Sequence, residues 1–152
     1  MFAVVRIRGN VDMRKDFEDT LQMLRLKDNN NCAIFSETAD AKGMIEKVKD
    51  WVTYGEISKE TLTKVLERRL RMKGNERIEE KKLKDVTGFD SYEKLADALI
   101  HAKVKLKDFK KIQQIFRLTP PSKGFKSVKD NYPKGDLGYR GKEINELLER
   151  MI

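Results

Sequence analysis

IFRLTPPSKGF, residues 115–125, holds a strand and its abrupt end. Ile115 to Leu118 alternate with period two, so Phe116 and Leu118 share one face and Arg117 takes the other. Pro120 and Pro121 lack an N–H and hold φ near about −65°, which stops a ladder. Beyond them the chain turns basic. Between Arg117 and Lys142 stand seven cations (Arg117, Lys123, Lys126, Lys129, Lys134, Arg140 and Lys142) against two acids, Asp130 and Asp136, a local net charge of +5. A core strand therefore opens into a positive arm. Its glycines, Gly124, Gly135, Gly138 and Gly141, suit a segment that is mobile alone and orders against a polyanion.

The strand needs partners, and they lie at the start of the chain. Phe2 to Arg8 alternates, with Ala3, Val5 and Ile7 on one face and Arg6 and Arg8 on the other. Asp12 is placed to cap a helix running to about Leu26, apolar at Met13, Phe17, Leu21 and Leu24. Cys32 to Ser36 reads as a second strand. A second helix from Thr38 or Asp40 carries an apolar stripe of Met44, Ile45, Val48, Trp51 and Val52, with Gly55 as its C-terminal cap. Two strands make a marginal sheet, so the third is taken to be Gln114–Leu118, some sixty residues later.

The expected fold is α+β: a small three-stranded antiparallel sheet, ferredoxin-like in half, covered on one face by two helices. Residues 1–55 and 113–119 form its βαβαβ core. Residues 56–112 are a helical insertion, read as a satellite lobe, with Ser58 capping a helix from Lys59 to Lys73 and Asp90 opening another. Residues 120–152 are the basic arm and a last helix, apolar at Ile144, Leu147, Leu148 and Met151.

The composition narrows the function. The 152 residues carry a net charge of +8 and 38% charged side chains, with a pI of 9.5, which suits a polyanionic partner. Cys32, the single cysteine, excludes an internal disulfide and a cysteine zinc site, and fits a reducing cytoplasmic setting. No apolar run approaches the roughly 20 residues of a membrane span, and no cleavable leader is visible. No phosphate-cradling loop, nucleophile elbow or paired-carboxylate motif is present, so nothing points to an enzyme, a cofactor or a metal. His101, the only histidine, is read as a structural residue on a buried or half-buried helix face.

If Val5, Ile7, Phe116 and Leu118 point inward, Arg6, Arg8 and Arg117 line a helix-free sheet face from which the arm departs. Guanidinium forks match phosphate. Arg14 and Lys15, at the head of the first helix, join that set. In the arm, Lys123, Lys126, Lys129, Lys134 and Arg140 supply charge, while Tyr132 and Tyr139 are placed to stack on unpaired bases for about 1–3 kcal/mol each. The helix with Arg68, Arg69 and Arg71 offers a further cationic face. It also supports an alternative, a DNA-binding regulator reading duplex with that helix.

Beyond these patterns, MFAVVRIRGNVDMRKDFEDTLQMLRL, NNCAIFSET, AKGMIEKVKDWVTYGEIS, FRLTPPSKGF and GYRGKEINELLERMI together resemble the large-subunit ribosomal proteins of the L-thirty family (L-seven in eukaryotes), most closely the archaeal form. The resemblance spans nearly the whole chain. It implies a structural, non-catalytic, cytoplasmic component of the ribosome, with a three-stranded sheet and two helices. It further implies contacts with large-subunit ribosomal RNA, 5S RNA and neighbouring ribosomal proteins, and no small-molecule substrate.

Overall fold

A computed structural model of the chain describes residues 1–152, apart from the side chains of residues 80 and 81. The elements are β1 (Phe2–Arg6), α1 (Lys15–Met23), β2 (Asn31–Phe35), α2 (Ala39–Lys47), β3 (Val52–Glu56), α3 (Lys59–Arg69), α4 (Glu80–Thr87), α5 (Tyr92–Ile100), β4 (Ile115–Arg117), β5 (Gly138–Tyr139) and α6 (Ile144–Met151).

The α+β class holds, but the sheet does not have three antiparallel strands. It has five, in the order β4-β2-β1-β3-β5. Three pairings are antiparallel and the last, β3 with β5, is parallel. The third strand of the core is Val52–Glu56, which the sequence pattern assigned to the second helix. Helical spacing from Met44 to Val52 is real, but α2 stops at Lys47, and the β-branched and aromatic run Val52-Thr53-Tyr54 pairs with β1. Gly55 is therefore a strand residue and not a helix cap. A Cβ there would meet the Gly141 carbonyl and Ile144, so only glycine lets this strand lie against the turn before α6.

Both faces of the sheet are covered. Every residue of β1 is buried, as expected of a central strand. Val4, Ala33 and Val52 join Leu21, Leu24, Ile45 and Val48 of the α1–α2 layer in one core. Ala3, Val5, Cys32 and Phe116 join Leu62, Val65 and Leu66 of α3, Leu95 and Leu99 of α5 and the whole apolar face of α6 in a second, larger one. The insertion is thus no satellite: with α6 it forms the second layer.

Local chemistry sets the helix starts. The hydroxyls of Thr38, Ser58 and Ser91 accept from Ala41, Thr61 and Lys94 N–H at 3.3, 3.2 and 3.4 Å. Ser91, not Asp90, opens α5. Asp12 does not cap α1; it takes φ 55° in the turn before it. Asn145 accepts from the Ser58 N–H at 2.8 Å and donates to the Glu56 carbonyl at 3.1 Å, tying the β3–α3 junction to α6.

Candidate nucleic-acid interface

One end of the sheet gathers most of the cationic features. There β1 ends, β2 begins and β4 leaves. Asn30 joins them, its N–H donating to Arg6 O at 2.8 Å and its carbonyl accepting from Leu118 N at 3.0 Å. The C-terminus of α6 reaches the same end, where Thr119 N donates to Met151 O at 3.1 Å. From Thr119 the chain crosses to β5 on the far edge of the sheet, so residues 119–137 form a loop over this end.

The loop is folded, contrary to the mobile arm expected. Asp136 organises it. Its carboxylate accepts from the N–H groups of Lys126 at 2.5 Å and Ser127 at 3.4 Å, and pairs with Arg140 at 2.5 Å, both side chains being 5% exposed. Asp130 accepts from the Ser127 hydroxyl at 2.7 Å. Ser122 N donates to Arg150 O, and the Arg150 guanidinium returns to the Ser122 and Gly124 carbonyls at 3.4 and 3.5 Å, bracing the loop on α6. Both acids of the loop are thus spent on its own donors. Lys123, Lys126, Lys129 and Lys134 remain exposed.

The sheet-face arrangement is overturned. No helix-free face carries Arg6, Arg8 and Arg117. Arg6 is 2% exposed. It donates to the carbonyls of Leu26 at 2.9 Å, Lys27 at 2.6 Å and Arg8 at 2.9 Å, and to Asn10. Burial lowers its pKa, against the opposing pull of Asp28 and Glu18. It closes the β1–α1 and α1–β2 connections upon each other and offers nothing to a polyanion. Arg140 is equally committed, paired with Asp136 and lying over Tyr132 with its Cζ 5.1 Å from the ring centroid. Arg69 donates to the main-chain oxygens of Arg117, Met151 and Ile152 and to the Thr119 hydroxyl, the closest at 2.7 Å. It meets the negative end of the α6 dipole, and burial and its neighbours Arg71 and Arg68 lower its pKa.

Other expected residues do stand at the surface. Arg117 and Arg68 are exposed, and Arg69 links their elements through the Arg117 carbonyl. Arg71 is half-buried in an isolated bridge with Arg77. A second basic cluster forms where β1 gives way to α1. Phe17 and Trp51 pack at 4.6 Å between ring centroids; Arg8 lies 5.7 Å from the Trp51 ring and Arg14 5.6 Å from the Phe17 ring. Arg14, Lys15 and Val11 are exposed here, Val11 at 85%. Tyr139 is 52% exposed, its ring tilted on Tyr54 at 5.5 Å. Its hydroxyl donates to Glu56 at 2.6 Å, which raises its pKa. Tyr132 is 39% exposed. His101, expected on a buried or half-buried helix face, is instead exposed at the end of α5, its Nδ1 2.8 Å from the Asp97 carbonyl.

Three contributors are not marked by the sequence pattern: Trp51, whose spacing fits a helix stripe, Asp136, one of two acids in a basic segment, and Arg150, a polar residue of the last helix. The flanking Lys49-Asp50 turn and the strand-favouring run after Trp51 were the available signals for the first; the other two depend on contacts distant in sequence.

Residues 2–52 match the family described as Ribosomal protein L30p/L7e. Over essentially its full length the chain is 45% identical to the large ribosomal subunit protein uL30 of Archaeoglobus fulgidus, across 151 residues and 99% of each chain. It is 46% identical to that of Thermoplasma volcanium, covering 100% of this chain and 93% of the relative, and 44% identical to that of Nanoarchaeum equitans. The chain belongs to the L30p/L7e family of ribosomal proteins. Among the described residues, no cluster of His, Cys, Asp and Glu could hold a metal ion, and no helix is long and apolar enough to cross a membrane.

Proposed function

We propose that the loop of residues 119–137, with Arg117, Arg68 and the Arg8–Trp51–Phe17–Arg14 cluster, is the surface through which this protein grips large-subunit ribosomal RNA, 5S RNA among it. As a member of its family the chain is a structural component of the large ribosomal subunit, at work in translation and not an enzyme. Its partners are ribosomal RNA and neighbouring ribosomal proteins.

One observation carries the assignment of the surface. The loop occupies both its carboxylates with its own donors, Asp136 buried and Asp130 at the surface, and leaves four lysines exposed beside an exposed arginine on the adjoining strand. A folded cationic loop meets a polyanion without the ordering cost of a disordered arm. Phosphate contacts supply affinity and position; exposed faces of Tyr132 and Tyr139 are available to unpaired bases. The DNA-binding alternative finds no support: the relatives are ribosomal proteins, and Arg69 of that helix is tied to α6.

The test is binding of 5S RNA and of large-subunit RNA fragments across a salt series, for the native chain and for Arg117→Glu with Lys123→Glu. The double variant should bind about 10- to 100-fold more weakly at 0.1 M salt, and its log affinity should fall less steeply with log salt by about two contacts' worth. Undiminished affinity in a folded double variant would remove the loop from the interface. Binding to the large-subunit RNA with no binding to 5S RNA at any salt would remove the 5S contact alone.

A further inference from the structure

The opposite end of the molecule holds a groove of about 380 Å³ that RNA binding leaves unused. Its floor is the edge of β2. The partner strand β4 covers that edge only through Ala33, paired with Ile115; Ile34 and Phe35 continue without a strand beside them. One wall comes from the end of α1, where Met23 is 65% exposed. The other comes from the end of α5, at Leu99, and the segment just after it, at Val104. The groove therefore opens between the two helical layers, along a bare strand edge.

Proteins ordinarily blunt such an edge with charge, proline or a covering loop, because its free N–H and C=O groups invite another strand. Here the edge lies between apolar walls instead. Arg25, Lys105 and Lys107 stand on the rim, none in an ion pair among the described residues, and no Asp or Glu lines the groove.

The geometry points to a docking site for an extended segment of a neighbouring ribosomal protein, which adds as a strand beside Ile34 and Phe35, presses alternate apolar side chains against Met23 and Val104, and sets acidic residues against Arg25 and Lys107. Strand addition uses main-chain hydrogen bonds for affinity and pockets for every second side chain. An apolar floor with a strand edge has no use for phosphate, whereas the unpaired rim cations complement a carboxylate-flanked peptide. RNA on this groove is the competing outcome.

Cysteine chemistry makes the test clean. Cys32 is buried and its thiol pKa is pushed up to about 12, so it stays unlabelled in the folded chain. A Met23→Cys chain carrying a benzophenone label is assembled into large subunits and irradiated, beside a Val128→Cys chain labelled on the basic loop. The expected adduct from position 23 is with a ribosomal protein, mapped by mass spectrometry to a segment of alternating apolar residues flanked by acids. Adding Arg25→Glu and Lys107→Glu should lower its yield about tenfold. An adduct from position 23 with ribosomal RNA, with a segment of another character, or with nothing overturns the proposal. Position 128 reports separately on the RNA surface, so failure of one reading is not failure of the other.

Discussion

The buried arginines and the exposed loop lysines make opposite use of the same charge. Arg6 and Arg140 spread their donors over main-chain oxygens or a carboxylate and vanish from the surface, and half-buried Arg69 spends its donors in the same way. Lys123, Lys126, Lys129 and Lys134 sit within the same end of the molecule and stay in water. The difference follows from the side chains. A planar guanidinium offers five donors in a fixed fork and loses hydration readily, so it can close a gap between chain segments; an ammonium is a strongly hydrated point charge. In this protein three arginines, the side chains best shaped for phosphate, are thus spent on the fold, and the proposed RNA surface draws more on lysine.

The largest effect that separates the two groups is expected at Asp136. Asp136→Ala removes the partner of a buried arginine and two N–H contacts of the loop at once. Leaving one member of a buried pair uncompensated costs about 3–5 kcal/mol. Equilibrium denaturation should show a loss of that order, with RNA affinity falling because the lysines lose their scaffold. Combining Asp136→Ala with Arg140→Met should recover part of the stability. Full stability in the single variant would mean that the loop is held by Arg150 and the turn hydrogen bonds instead.

Arg6→Leu comes next, at about 2–4 kcal/mol, since it strands buried carbonyls of Leu26 and Lys27. The comparison sharpens here. Arg6 should change stability and leave RNA affinity of the folded chain within about twofold, whereas Arg117→Glu should do the reverse. A large affinity loss in a stable Arg6→Leu protein would return Arg6 to the interface.

What was legible beforehand follows the range of the interactions. The amphipathic helices α1, α3 and α6, the cap at Ser58 and the edge strand ending at the two prolines all rest on neighbours in sequence. The exposed cations of the loop were legible from composition alone. The two-sided sheet was not, though the unbroken run Phe2-Ala3-Val4-Val5 held the hint: a strand with one wet face seldom carries four apolar residues in succession. Once that face is covered, Arg6 has to be buried, and the α1–β2 turn supplies the carbonyls it needs. β5, two residues long, is too short for any periodicity. The inward turn of Asp136 depends on Arg140, whose spacing carries no signal outside a helix.

The smallest effect expected is the most discriminating. Lys123 has φ 68° and is followed by Gly124 at φ 72°. A side chain in that region costs about 1 kcal/mol or more relative to glycine, partly offset by the greater freedom glycine gives the unfolded chain. Lys123→Gly should therefore leave stability unchanged or raise it by up to about 1 kcal/mol. It also removes one exposed cation, so RNA affinity should drop several-fold and the salt slope by about one contact. Stability and binding then move in opposite directions at one residue. That divergence is the behaviour expected of a position that accepts backbone strain in order to present a charge. Parallel changes in both quantities would instead make Lys123 part of the loop's framework, on the same side of the comparison as Arg6 and Arg140.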